Sequence, residues 1–485
     1  MNEESSLLPL GYTVIFIAYY LFTLLLLRVT FFASRPPIRI LLLLLVGAQL
    51  VLKLLDRYYF PFYLNSVRAL DENVWLSFLA NYQSTGKILF DQLAQGPGIY
   101  YLSSAFGYIF HVDYGSALVG LAISFGSLYV IPAFLLYRVF FEGDGRLAFV
   151  NTLLLSLSDS MIYSTTVARP TLFGLFLLPL AVGAFQALRG KFRWRALGPL
   201  VLVSIMILLI HTPITFVVLL TVVSCSVLIF DKARKWEWGY VIFLFASYGL
   251  MLGLFLPDLE RIWRMELFGG YPLNLISSMA GDAFFLTFPV VGVVILLLSC
   301  VSGRVGARLA KPRGLSEFKL PGKYAVVAGI ILFVTVTAVL VLLKYQSYVA
   351  STYGSWSYFF LIHGWKIPFG VLAAVGLWSI GTRYKRSSND TAFAWLLSIL
   401  ILVAILATYA PILVHSGLWD MDERFAEFTY YPAIYFVTVG LNHVKKRVSP
   451  QLFGWVILPI LALFSIPSLI IGMRIHTFVL SFLER

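Results

Sequence analysis

Leu70–Tyr101 reads LDENVWLSFLANYQSTGKILFDQLAQGPGIYY, and it is the longest polar interval in the first half of a chain otherwise built from apolar runs. Val74, Trp75, Phe78, Leu79 and Tyr82 recur at helical spacing. The pattern stops at Gly86, and a Gly96-Pro97-Gly98 turn follows. An adjacent acid pair, Asp71-Glu72, stands at its head. This reads as Asp71 capping a helix with Glu72 in its first turn, both favourable at the positive helix end.

On either side lie apolar runs near 20 residues long, each able to cross a hydrocarbon core of about 30 Å as a helix. The chain has 485 residues, 60% hydrophobic and 12% charged, where a soluble domain has roughly 25% charged residues. Unpaired backbone is too costly in lipid for open strands. The class is therefore all-α: a polytopic membrane protein of about 14 transmembrane helices with interfacial helices in its first outer loop. Spanning runs are expected at 7–27, 38–55, 116–140, 146–163, 170–188, 196–211, 214–230, 239–257, 284–302, 325–343, 364–382, 391–413, 427–442 and 452–473. The segment 98–112 is short, reads as broken by Gly107, and is expected along the interface. Residues 1–485 form one transmembrane domain, with 56–115 as the first outer loop and no separate soluble domain. The start, MNEESSLLPLGY, is acidic where a cleavable signal is basic. Cys225 and Cys300 lie inside apolar runs, and no disulfide is expected.

One set of alternate loops holds two thirds of the 36 Lys and Arg but only about a quarter of the 23 Asp and Glu. Basic loops are cytoplasmic, which puts both termini and the Leu70 loop outside. The net charge of +13 is thus a topology signal. Nucleic-acid binding needs bases gathered on one folded face, and here they are scattered over seven loops.

Outside, the polar residues concentrate in a few places. Neighbours on a helix point about 100° apart, so one acid of Asp71-Glu72 is expected to reach a substrate and the other to orient it or bind a cation. Asp91 is a further outer acid, or a solvated loop charge. Arg169, just before Pro170, reads either as a two-pronged grip on a lipid phosphate or as an arginine snorkelling at the membrane edge. Asp420, Asp422, Glu423, Arg424 and Glu427 cluster in HSGLWDMDERFAEFTYYP. They read either as a solvated loop or as Arg424 holding phosphate with a carboxylate such as Glu423 beside it. His211, at a Thr-Pro break, and His363 are candidate phosphate or sugar contacts, with His415 similar. The aromatic stretch 345–365 is an interfacial belt that can also stack on sugars.

A membrane helix, an outer loop with an acid pair, an amphipathic helix ending in Gly and then PGIYYLSSAFG together resemble the N-terminal part of the GT-C superfamily of membrane glycosyltransferases. That superfamily includes protein O-mannosyltransferases, aminoarabinose transferases and oligosaccharyltransferases. The likeness covers residues 40–230, although those enzymes have one helix before the acidic loop and this chain has two. It implies that Asp71 or Glu72 activates the acceptor or binds a divalent metal (Mg or Mn). It also implies a sugar donor on a polyprenyl phosphate. The expected function is an inverting sugar transfer to a glycan, lipid or protein acceptor at the outer face of the plasma membrane. The alternatives are a flippase for lipid-linked sugars and a non-catalytic assembly subunit. A flippase would carry mid-membrane charges, for which Lys53 and Asp159, both near helix ends, are the candidates.

Overall fold

The computed structural model describes residues 4–59, 61–88, 97–190, 194–211, 215–229, 234–265, 366–381 and 427–472, with positions 392, 395, 396 and 398 between the last two blocks. Among the described residues every regular element is a helix. Among the described residues five segments are long and apolar enough to cross a membrane: Thr13–Phe32, Ile38–Tyr58, Tyr114–Phe140, Pro170–Gly190 and Pro450–Leu469. Trp194–Ile210, Val217–Val227 and Lys366–Ser379 are shorter apolar helices. The protein is therefore an all-α membrane protein. The runs expected at 284–302 and 325–343, and most of 391–413, lie outside the described residues.

In order, the helices are α1 (Glu4–Phe32), α2 (Ile38–Leu54), α3 (Pro61–Thr85), α4 (Gly98–Phe110), α5 (Tyr114–Leu128) and α6 (Val130–Phe140). Then come α7 (Gly145–Ser156), α8 (Asp159–Ser164), α9 (Pro170–Gly190), α10 (Trp194–His211), α11 (Val217–Ile229) and α12 (Lys235–Met265). The late part holds α13 (Lys366–Gly381), α14 (Tyr430–Lys445), α15 (Pro450–Leu452), α16 (Leu458–Leu463) and α17 (Ser465–Gly472). A π-turn, Leu55–Tyr59, prolongs α2, and another, Phe453–Ile457, joins α15 to α16.

Local chemistry sets several boundaries. Asp113 accepts the Ser116 N–H at 2.8 Å and starts α5; the same bonds hold its carboxyl below the usual carboxylate range. Asp144 accepts from Arg146 and Leu147 and starts α7. Helix α3 ends where expected, at Gly86 with φ +67°, a left-handed stop that glycine takes without strain.

Three local expectations are corrected. Asp71 is not an N-cap, because α3 begins at Pro61 and runs through Asp71 without a break. Proline suits a first helical turn, and the residues from Phe62 to Leu70 continue the helix, so no chain end exists at 71 to be capped. Gly107 does not break α4, which ends at His111 in the left-handed region. A Cβ at Gly107 would stand 2.9 Å from the Tyr114 ring and from the Val112 carbonyl, so this glycine lets the chain fold back tightly. The span expected at 116–140 is present as Tyr114–Phe140, made of two adjoining helices, α5 and α6. Pro132, near the start of α6, cannot continue the hydrogen-bond ladder back to Leu128. The run 146–163 is also two helices: Ser156 and Ser158 turn their hydroxyls back to the Leu153 and Leu155 carbonyls where α7 stops. That break delivers Asp159 to a helix start.

The centre of the bundle is α9. Within its spanning window 72% of residues are buried, against 33% for α1 and 28% for α2, which show more of their surface to lipid. Around α9 two buried tyrosines find acceptors, as most hydroxyls in an apolar interior do. Tyr137 Oη donates to the Tyr431 carbonyl at 3.0 Å and Tyr431 Oη to the Leu175 carbonyl at 2.6 Å. Trp395 stacks on Tyr431 with ring centres 5.3 Å apart. Helices α13 and α14 approach until backbones touch. A Cβ on Gly376 would strike the Phe436 carbonyl, and one on Gly440 the Leu372 carbonyl. Small residues permit such contact in membranes, where helices gain little from burying more apolar surface.

Candidate active site

Charged groups converge at one end of the bundle. Three come from the last turn of α2 and its π-turn: Lys53, Asp56 and Arg57. Lys53 and Asp56 are each only 2% exposed. A charge this deep persists only when paired or fully hydrogen-bonded. Lys53 Nζ donates to Thr165 Oγ1 at 2.6 Å, Thr166 Oγ1 at 2.9 Å and the Ile162 carbonyl at 3.3 Å. It thereby anchors the irregular segment between α8 and α9. Gly126 of α5 has the Thr165 carbonyl against it where a Cβ would be.

The same segment is gripped from α3. Arg57 Nη2 forms a close ion pair with Glu72 Oε1, and Glu72 Oε2 accepts the Ala168 N–H at 3.2 Å. The next residue, Arg169, is 6% exposed. Its Nη2 bonds Glu427 Oε1 at 2.6 Å and Ser164 Oγ at 3.1 Å, and its guanidinium lies over the Tyr163 ring at 5.2 Å. At the start of α8, Asp159 pairs with Lys366 Nζ at 2.7 Å and accepts from Tyr430 Oη at 3.1 Å. Residues 157–170 are therefore held by α2, α3, α13 and the lead into α14.

Of the sequence candidates, Glu72 and Arg169 meet here through adjacent links, Glu72 to Ala168 and Arg169 to Glu427. The snorkelling reading of Arg169 is overturned: its head is buried against a carboxylate. Asp71 lies in α3 and His211 is the last residue of α10. Asp91, Glu423, Arg424, His363 and the stretch 345–365 lie outside the described residues. Arg57 and Lys366 escaped the sequence reading, and Asp56 with them. A signal for the first part existed: LKLLDRYY places three charges within five residues at the end of an apolar run, which is expensive beside lipid.

The divalent metal implied for Asp71-Glu72 is tested by Glu72, whose two carboxylate oxygens are engaged, one by a guanidinium and one by a backbone N–H. Among the described residues no group of three His, Cys, Asp or Glu could hold a metal ion. Glu72 does not fit a metal ligand.

No family model and no curated protein matches the chain. Among solved structures it is similar to the archaeal oligosaccharyltransferase AglB from Archaeoglobus fulgidus, solved with an inhibitory peptide and a dolichol-phosphate. Sequence identity is 15%, 89% of this chain and 55% of that one are covered, and the TM-score is 0.50. The chain has a GT-C-like fold. Two further Archaeoglobus fulgidus oligosaccharyltransferase structures, one with Zn and sulfate and one in the apo form, each give a TM-score of 0.48 at 15% and 16% identity over 89% of this chain, covering 52% and 55% of those chains. The GT-C-like chain spans about half the length of the oligosaccharyltransferase it resembles.

Proposed function

We propose that this GT-C-like protein is a glycosyltransferase that takes a sugar from a polyprenyl-phosphate carrier and passes it, with inversion, to an acceptor at the outer membrane face. The observation that carries this reading is the convergence, at one end of a GT-C-like bundle, of buried charges from α2, α3, residues 157–170 and the lead into α14. Burying charge is a poor route to stability alone, so a buried pair, Arg169–Glu427, flanked by two pairs whose carboxylates are buried favours chemistry at this end of the bundle. The dolichol-phosphate bound to the similar oligosaccharyltransferase favours a lipid-borne donor, and an outer site has no access to cytoplasmic nucleotide sugars.

The roles follow from what each group can do. Glu72 is spent on Arg57 and Ala168, so it orients. Asp71 is then the acid of the pair left to act as general base. The acceptor hydroxyl passes its proton to the Asp71 carboxylate while its oxygen attacks the anomeric carbon. The bond from that carbon to the phosphate oxygen breaks on the opposite face, and the lipid phosphate leaves with the electron pair. Arg169, with Arg424, stabilises the charge gathering on that phosphate. Arg169 exchanges Glu427 for phosphate to do so, and its planar fork suits either partner.

A non-catalytic role is the second reading, and the pairing of both Glu72 and Arg169 with protein groups favours it. Purified protein supplied with dolichyl- and undecaprenyl-phosphate-linked hexoses separates the two. Release of free lipid phosphate, lost in Asp71→Asn while that variant stays folded, is the enzyme's result. No release by either protein leaves a scaffold, and equal release by both moves the base from Asp71 to another acid.

A further inference from the structure

We propose that Arg57 supplies from within the chain the positive charge that a divalent cation would otherwise supply beside Glu72, so that this corner takes no divalent metal. This holds whether or not the protein is a glycosyltransferase, since it concerns only what the corner can bind.

Coordination comes first. A hard divalent cation needs several oxygen lone pairs at about 2.0–2.6 Å. Glu72 offers two oxygens, and the Arg57 guanidinium and the Ala168 N–H take one each. The two hydroxyls just before Ala168 in the chain, on Thr165 and Thr166, are already turned toward a different cation, Lys53. A metal at Glu72 would have to evict Arg57 and break the tie that sets the turn into α9.

Charge balance is the second argument. The described cations of this corner are Lys53, Arg57 and Arg169, and the described anions are Asp56, Glu72 and Glu427, three against three. These groups carry no net charge, so they leave nothing to balance an added divalent ion. Glu72 is 6% exposed and Lys53 and Asp56 are 2% exposed, so solvent does little to screen an excess. Adding two positive charges to a buried, nearly neutral cluster is unfavourable unless one cation leaves. Arg57 is held by its own backbone in the π-turn after α2 and cannot leave far.

Two acids side by side suggest a metal only while the π-turn after α2 is ignored. Arg57 precedes Glu72 by fifteen residues and sits on a separate helical element, so the pair forms only after α2 and α3 fold against each other.

The test uses the full-length protein in detergent, stripped with EDTA and titrated with Mn²⁺ by electron paramagnetic resonance. Thermal melting is followed in parallel with Mn²⁺, Mg²⁺ or Zn²⁺. The wild-type protein is expected to show no saturable Mn²⁺ site and an unchanged melting temperature on EDTA treatment. Arg57→Gln and Glu72→Gln should each lower the melting temperature, and the double variant should melt no lower than the worse single one, because both lose the same interaction. A saturable Mn²⁺ site in the wild type, weakened in Glu72→Asp, overturns the proposal. So do fully additive losses in the double variant. The wild-type titration needs no variant, so a poorly folding Glu72→Gln does not remove the test.

Discussion

Two contacts made by the late part of this protein work by opposite means. Helices α13 and α14 meet through Gly376 and Gly440, with no side chain between the backbones. At the charged end, Arg169 of the early chain meets Glu427 of the late chain, both almost fully buried. The glycine contact is cheap, since nothing is desolvated that water would have kept. The ion pair is costly, because both charges leave water and only good geometry offsets the loss. A bundle that needed only to hold together would use the first kind throughout. Three of the four described ion pairs lie at one end, with Arg189–Glu237 alone at the far end of α9, and that concentration marks the first end as the one with another task.

The contrast can be broken most severely at the glycines. Gly440→Leu places a branched side chain where the Leu372 carbonyl lies, and neither backbone can yield. Overpacking usually costs about 1–3 kcal/mol and occasionally more; here the loss should exceed that range and abolish well-folded protein, read as yield and as a monodisperse peak on size exclusion. Gly249→Ala, with nothing within 4 Å, should be neutral in the same assay.

Removing one partner of the buried pair comes next. Arg169→Ala or Glu427→Ala strands a charge and should cost about 3–5 kcal/mol, seen as a lower melting temperature. Arg169→Met combined with Glu427→Leu should recover much of that stability without recovering activity. If the apolar pair is also active, the ion pair has no part in the chemistry. Arg169→Lys should restore activity only in part, since a point charge lacks the guanidinium fork.

Glu72→Gln should be milder. Its amide oxygen can still accept the Ala168 N–H, and Arg57 keeps some contact with solvent, its side chain 20% exposed. A loss of about 1–2 kcal/mol is expected. A loss as large as that of Arg169→Ala would mean that the two ion pairs act as one unit.

The smallest effect on stability belongs to Asp71→Asn. Asp71 is inside α3 and caps nothing, so the variant should melt within about 0.5 kcal/mol of the wild type. If Asp71 is the base, turnover of a polyprenyl-phosphate sugar should nonetheless fall by roughly 10²–10⁴. A variant that is both stable and active returns the search for a base to Asp159, Asp91 and the acids near Arg424.

Helix existence was legible because it follows from local pattern. The α3 stop at Gly86 and the spans over α1, α2 and α9 follow from run length and glycine placement. The reading failed where two local rules competed. Asp71 before an amphipathic pattern looks like a cap, but Pro61 had already started the helix. The apolar run 146–163 looks like one span, but two serines bonded to preceding carbonyls divide it. Arg57 was passed over because its value depends on Glu72, and neither residue reveals the other.

From sequence alone follow the membrane class, the all-helical architecture and the small set of polar groups able to do chemistry. These are fixed by hydrocarbon thickness and by the cost of unpaired backbone, which act on every short stretch independently. Which polar groups serve each other was decided only in three dimensions. Glu72 and the Ala168 N–H are 96 residues apart in the chain, and Arg169 and Glu427 are 258 apart. No periodicity or composition links positions so distant. They find each other because a charge forced out of water at the end of a closely packed bundle must take whichever opposite charge the helices bring within reach.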